Sequence, residues 1–198
     1  MSAVIKVVQP AEEFALDGTP PGAATGEDRS GRLERVFREH YPRLVGMLAR
    51  LTGDRAQAED IAGDMFCKLA RRPATLYCPD DLTAWVYRVA SNAGIDAVRA
   101  NVRRRRREEA AGVERLRIEP GDGALEEVLR QERRARVREV LAGLKPREAQ
   151  LLLLRSGGMA YREIAQTLGV AAGSVGTLLA RAEAEFERRF RARYGDAL

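Results

Sequence analysis

The stretch AYREIAQTLGVAAGSVGTLLARA, residues 160–182, decides how the fold is read. Tyr161, Ile164, Ala165 and Leu168 fall on one face of a short helix, and Gly169 supplies a left-handed stop. Val170, Ala171 and Ala172 lead into a second helix holding Val175, Leu178, Leu179 and Ala182. A short helix, a glycine turn and a longer helix make the helix-turn-helix pattern. Small Ala165 permits the close crossing, while Ile164, Leu168, Val175 and Leu179 fill the angle. That geometry would place the second helix in a major groove, although the same local pattern also suits a helical hairpin packed for stability alone. Ser174, Gly176, Thr177 and Arg181 are the candidates on the exposed face of the second helix. Only Arg181 suits bidentate guanine readout, and Glu183, Glu185 and Glu187 would repel phosphates if they faced the groove.

Working back from this stretch, Gly157 and Gly158 end a short helix that Pro146 opens and that runs through Leu154. Before it, Leu125, Val128, Leu129, Val137, Val140, Leu141 and Leu144 form a helical stripe. Residues 108–125 hold Gly112, Pro120, Gly121 and Gly123 among acids, which is linker chemistry. Further upstream, Leu33, Val36, Phe37, Tyr41, Leu44, Leu48 and Leu51 recur at helical spacing to about residue 52, with Pro42 either kinking the helix or beginning a second piece. Asp54 can cap the next helix, whose apolar side is Ala58, Ile61, Ala62, Met65, Phe66 and Leu69. Residues 73–81 read as a loop. A third helix starts near Asp80 or Asp81, turns Leu82, Trp85, Val86, Val89, Ala90, Ala93, Ile95 and Val98 inward, and runs into Arg103–Arg107. Residues 1–31 read as a mobile extension without a core, and no segment alternates long enough for a strand. The expected fold is all-α. Two small helical domains, residues 32–107 and 126–198, are joined by a flexible linker, and the second contains the helix-turn-helix.

A chain of 198 residues, 45% of them apolar, can form one or two such cores. Cys67, Cys78 and the single histidine, His40, cannot by themselves supply a four-ligand zinc site, and neither a disulfide framework nor a histidine-centred triad is expected. No apolar run approaches the roughly 20 residues of a membrane span, and the apolar part of residues 1–10 is too short for a signal peptide. The expectation is a cytoplasmic protein without cofactor or metal. The net charge of +5 is unevenly placed: −2 over residues 1–32, +6 over 33–107, −3 over 108–125 and +4 over 126–198. Two basic blocks around an acidic spacer suggest two modules that each face a polyanion. Arg103–Arg107 is either a solvated, frayed helix end or a set of phosphate-neutralising cations.

Three strings carry a family resemblance: FREHYPRLVGMLARLTGDRAQAEDIAGDMFCKLAR (37–71), LTAWVYRVASNAGIDAVRANVRRRR (82–106) and LKPREAQLLLLRSGGMAYREIAQTLGVAAGSVGTLLARA (144–182). Together they resemble the bacterial RNA polymerase sigma factors, specifically the small two-domain extracytoplasmic-function group. The resemblance implies that the first module binds core RNA polymerase and the minus-ten promoter element, and the second the minus-thirty-five element. Core polymerase, through its clamp helices and flap, promoter DNA and an anti-sigma protein are the implied partners. Glu59, Asp60, Asp64 and Lys68 would dock on the polymerase, and Phe66 would hold their helix on its own core. The loop and the start of the third helix would capture an unstacked base, with Tyr77 the stacking candidate. Asn92 would contact a base or sugar, and Arg88, Arg99 and Arg103 the backbone. Trp85 reads as core, and Asp96 as a partner of an arginine.

Two departures from the family pattern stand out. Gly63 occupies the position before Asp64 where the family commonly has Gln, which removes a polar contact and weakens the helix by about 1 kcal/mol relative to Ala. In the second helix of the helix-turn-helix, Gly176 and Leu178 replace a lysine and an arginine, which should lower the salt slope of DNA binding; Leu178 could instead face a protein partner. The alternative within DNA binding is a two-domain repressor or activator without polymerase docking. An enzyme would need more than Asp60 and Asp64, which could in principle hold Mg²⁺. Cys67 and Cys78 read as inert thiols or as a redox switch.

Overall fold

The computed structural model describes residues 26–71, 79–112 and 124–195, so Tyr77 and Cys78 lie outside the described residues. Among the described residues there are seven α-helices and no strand: α1 Gly26–Thr52, α2 Arg55–Ala70, α3 Pro79–Ala110, α4 Ala124–Gly143, α5 Pro146–Ser156, α6 Tyr161–Leu168 and α7 Val175–Tyr194. A 3₁₀ turn, Ala172–Ser174, precedes α7. None of these helices is long and apolar enough to cross a membrane.

The local signals act where sequence places them. Asp54 accepts a hydrogen bond from Gln57 N–H at 3.2 Å and starts α2. Glu148 reaches back to Lys145 N–H at 3.1 Å at the start of α5, and Glu163 does the same for Ala160 N–H at 2.6 Å at the start of α6. Gly169 ends α6 at φ 62°, with Val170 N–H donating to Ala165 O at 3.0 Å.

Two helices depart from the sequence expectation. α1 begins at Gly26 rather than near Leu33 and passes through Pro42 as one element, with no second piece starting there. Pro42 is exposed, and packing holds the turns on either side: Phe37 stacks on Tyr41 at 4.5 Å and meets Phe66 edge-on at 4.9 Å, while Leu44, Met47 and Leu48 are buried. α3 continues through the arginine block to Ala110, so Arg103–Arg107 is not a frayed end. Pairs at i,i+4 offset the repulsion, Arg105 to Glu109 at 2.8 Å and Arg104 to Glu108 at 3.8 Å.

α1 and α3 cross closely at Gly94, where an added Cβ would come 2.7 Å from Leu48 Cδ2 and 2.9 Å from Leu51 Cδ2. α5, α6 and α7 build the second module around Leu151, Leu154, Ile164, Val175 and Leu179. The two modules share one continuous core, because Leu51, Ile95 and Val98 face Leu141, Ala142 and Ala149. α5 and α6 thereby lie against α3. Arg43 reinforces the junction through Gly157 O at 3.4 Å and Glu163 at 3.9 Å.

Candidate nucleic-acid interface

Arg88, Asn92, Arg99 and Arg103 occur on α3 at offsets of 4, 11 and 15 from the first. At roughly 100° per residue these offsets keep all four within about 60° of one another. They form a stripe on one helix face. Arg88 and Arg103 are exposed, and neither side chain meets a carboxylate among the described residues. Arg99 is half-buried. Its Nε and an Nη donate to the carbonyls of Ala142 and Leu144 at 3.2 and 3.1 Å, satisfying acceptors left over at and just beyond the end of α4. Asp96 lies 3.6 Å from the same guanidinium, as the intramodule partner expected from sequence. Asn92 accepts from Gln150 Nε2 at 2.8 Å, and Gln150 is itself buried beside Ser91. Two members of the stripe are thus bonded to the second module in this arrangement.

Trp85 is half-buried and packs against the core, whereas its neighbour Tyr87, which sequence reasoning did not single out, is buried. Arg43 stands 5.6 Å from the Tyr87 ring, and burial pushes the Tyr87 phenol above its usual range. Gln150 was also missed. Its signal was present in the sequence as a polar side chain between Ala149 and the run Leu151–Leu154, on a face that is otherwise apolar.

On α7 the exposed face is smaller and less charged. Ser174, Thr177 and Arg181 are exposed and Gly176 is half-buried, with Tyr161 Cε2 3.6 Å from where its Cβ would lie. Arg181 has no carboxylate partner among the described residues. Glu185 is paired with Arg188 at 2.8 Å and Arg189 at 2.6 Å. Hydrogen bonds from these two guanidinium groups pull its carboxyl down to about 2. Glu187 is held by Arg191 at 2.8 Å, so both acids carry their own counter-ions. Leu178 does not stand exposed for a protein partner. It is half-buried and packs on the core, since its position on α7 turns it toward the helix-turn-helix angle.

α2 presents a third surface. Asp60, Asp64 and Lys68 are exposed at i,i+4 spacing, while Glu59 is half-buried and bonded to Arg55 at 2.8 Å. Gly63 has nothing within 4 Å of an added Cβ, so the missing side chain leaves open space rather than serving a close approach. Cys67 is a free, exposed thiol on the same helix.

Residues 36–104 match the family Sigma-70 region 2, and residues 134–186 match Sigma-70, region 4. The first match contains the whole α3 stripe, and the second contains α5, α6 and the exposed face of α7. The chain is 30% identical over 171 residues to the ECF RNA polymerase sigma factor SigE of Mycolicibacterium smegmatis, an alignment covering 85% of this chain and 65% of that one. It is 26% identical over 159 residues to the RNA polymerase sigma factor YlaC of Bacillus subtilis, covering 79% and 90%. The chain therefore spans just under two thirds of the mycobacterial relative and nearly all of the Bacillus one. Two regions of one family, in numerical order along the chain, together with the curated relatives lead to one assignment: the chain belongs to the sigma-70 family, among its extracytoplasmic-function sigma factors.

Proposed function

We propose that this chain is a promoter-specificity subunit that binds core RNA polymerase, reads two promoter elements and helps open the duplex. The observation that carries the reading is the α3 stripe, two free arginines and an asparagine on one face of a helix inside the region 2 match. Arg88 and Arg103 hold the phosphate backbone, and Asn92, whose amide both donates and accepts, contacts an exposed base or sugar. Tyr77 stacks on the unpaired base. Asp60, Asp64 and Lys68 dock on the clamp helices of the polymerase, with Glu59 beside them. Ser174, Gly176, Thr177 and Arg181 face the upstream element, with Arg181 the one side chain able to read guanine bidentately. An anti-sigma protein is the inhibitory partner this reading implies.

Promoter engagement in this scheme requires an exchange of partners. Gln150 must release Asn92, and Arg99 must trade the Ala142 and Leu144 carbonyls for DNA phosphates. Both modules stay on one chain when they separate.

The test is co-elution of the full chain with core polymerase, followed by transcription of a promoter library and sequencing of the starts. Start sites sharing two spaced elements, with starts lost in Asn92→Ala and docking strengthened in Gly63→Gln, are the expected result. Tight binding to duplex DNA without association with polymerase overturns the reading in favour of a repressor or activator.

A further inference from the structure

On the side of the molecule away from Asn92, the end of α3, the middle of α4, the end of α7 and the α1–α2 turn enclose a cavity of about 760 Å³. Six arginines and four carboxylates line it, an excess of two positive charges. The carboxylates are already engaged. Glu139 accepts from Arg106, Arg193 and the Tyr194 hydroxyl; Glu109 pairs with Arg105 at 2.8 Å; Glu132 lies 3.9 Å from Arg136; and Asp54 caps α2.

Arg138 is the exception. It is half-buried against the turn at Gly53, where φ is +78° and an added Cβ would come 2.6 Å from its Nη1. No carboxylate bonds it among the described residues. Burial, together with Arg134 and Arg105, holds its guanidinium below the usual arginine range, although an arginine stays charged throughout the working pH range. A desolvated cation whose nearest charges are cations is costly unless an anion completes the site.

From the cavity's size, its excess of charge and the unpaired Arg138, we infer that this cleft binds a phosphorylated small molecule of nucleotide size. With Arg104 paired to Glu108 at 3.8 Å just outside the lining, the remaining positive charge centres on Arg138, and a phosphate monoester supplies the anion it lacks, since guanidinium groups match phosphate oxygens in bidentate geometry. Val98, Val102 and Ala135 offer an apolar wall, and the Tyr194 ring adds aromatic surface beside the guanidinium groups of Arg136 and Arg193, 5.5 and 5.7 Å from its centroid. A volume of this order suits such a ligand. The lining comes from both modules, so the ligand favours the packed arrangement over the separated one and opposes promoter engagement by mass action. Ligand binding in the cleft does not depend on the sigma-factor reading, since the cleft and its charges are independent of what the α3 stripe binds, whereas the opposition to promoter engagement rests on that reading.

The test is calorimetric titration of the full chain with AMP and, separately, with inorganic pyrophosphate at fixed ionic strength. A non-promoter duplex forms a third arm. The expected result is saturable 1:1 binding of AMP, weakened at least tenfold by Arg138→Ala, partly restored in Arg138→Lys and unchanged in Arg162→Ala, an exposed arginine elsewhere. Circular dichroism of each variant establishes that it is folded. Stronger pyrophosphate than AMP binding, with the same dependence on Arg138, keeps the anion site and removes the base from it. Absence of saturable binding by either probe, or equal binding by folded Arg138→Ala, overturns the inference. So does duplex binding that falls with Arg138→Ala as far as the small probes do, because the cleft is then a track for nucleic acid.

Discussion

The helices α3 and α7 both turn a polar face outward, but they are built for different kinds of contact. α3 offers two unpaired arginines at Arg88 and Arg103, with Asn92 between them and Arg99 held in reserve by the carbonyls of Ala142 and Leu144. α7 offers one unpaired arginine, Arg181, beside Ser174, Thr177 and the bare backbone of Gly176. Phosphate contacts carry most of the salt-dependent affinity for DNA, so under the proposed function the first module would supply affinity and the second little beyond shape and one base contact. The charge division along the sequence, +6 against +4, does not convey this contrast. Much of the second module's positive charge is paired with its own acids, as in Arg188 and Arg189 with Glu185.

The contrast can be broken most directly at the arginines. In the polymerase complex, the double substitution Arg88→Ala/Arg103→Ala should lower the log–log salt slope of promoter binding by about 2 and weaken affinity by about a hundredfold, whereas Arg181→Ala should lower the slope by about 1 at most. Filter binding across a salt series reads both, and equal effects from the two modules would end the distinction.

A second expected effect concerns how firmly α3 is seated. Gly94→Ala pushes a methyl group against Leu48 and Leu51 and should cost about 1–3 kcal/mol, read as a lower urea midpoint with unchanged slope. Little change would mean that α1 and α3 can shift apart, and that the stripe is less rigid than its packing implies.

The contrast is sharpened by adding charge to the poorer helix. Gly176→Lys has room beside Tyr161, and it should raise the salt slope by about 1 and tighten upstream-element binding by about tenfold. No gain would place Gly176 away from the DNA backbone.

The smallest effect lies in the internal pairing of α7. Glu185 titrates at about 2 when folded, below its ordinary value of 4.5, so its contribution is present above the unfolded value and is lost as pH falls through the folded one. Its two ion pairs lie at the surface, where solvent screens them, so the effect is small. A melting-temperature difference between the native chain and Glu185→Gln should be measurable at pH 6 and disappear near pH 2. A difference that persists at pH 2 would mean the carboxyl acts through packing rather than charge.

Helices, caps and the helix-turn-helix were legible in sequence because their signals lie within a turn or two of one another. Asp54 reaches Gln57 N–H three residues on, and Gly169 takes up the left-handed stop that ends α6. The polar residues of α3 were named through the family resemblance, and the helix then sets their four positions on one face. Family likeness added the roles of that face, and it covers the parts of the chain where these local signals are densest.

Availability of those residues was a different matter. Asn92 meets Gln150 across 58 residues, and Arg99 meets Ala142 and Leu144 across 43 and 45. Leu178 could be taken for an exposed side chain until α7 was packed, and Arg138 could be taken for a solvated one until the α1–α2 turn was placed beside it. Sequence alone determined that this is an all-α chain of two helical modules with a helix-turn-helix pattern in the second, because helical periodicity and capping depend on neighbours in the chain. Only the tertiary structure decided which cations among the described residues are free, which are bonded and which is half-buried without a counter-ion, because desolvation and long-range hydrogen bonds depend on groups that folding brings together from distant parts of the sequence.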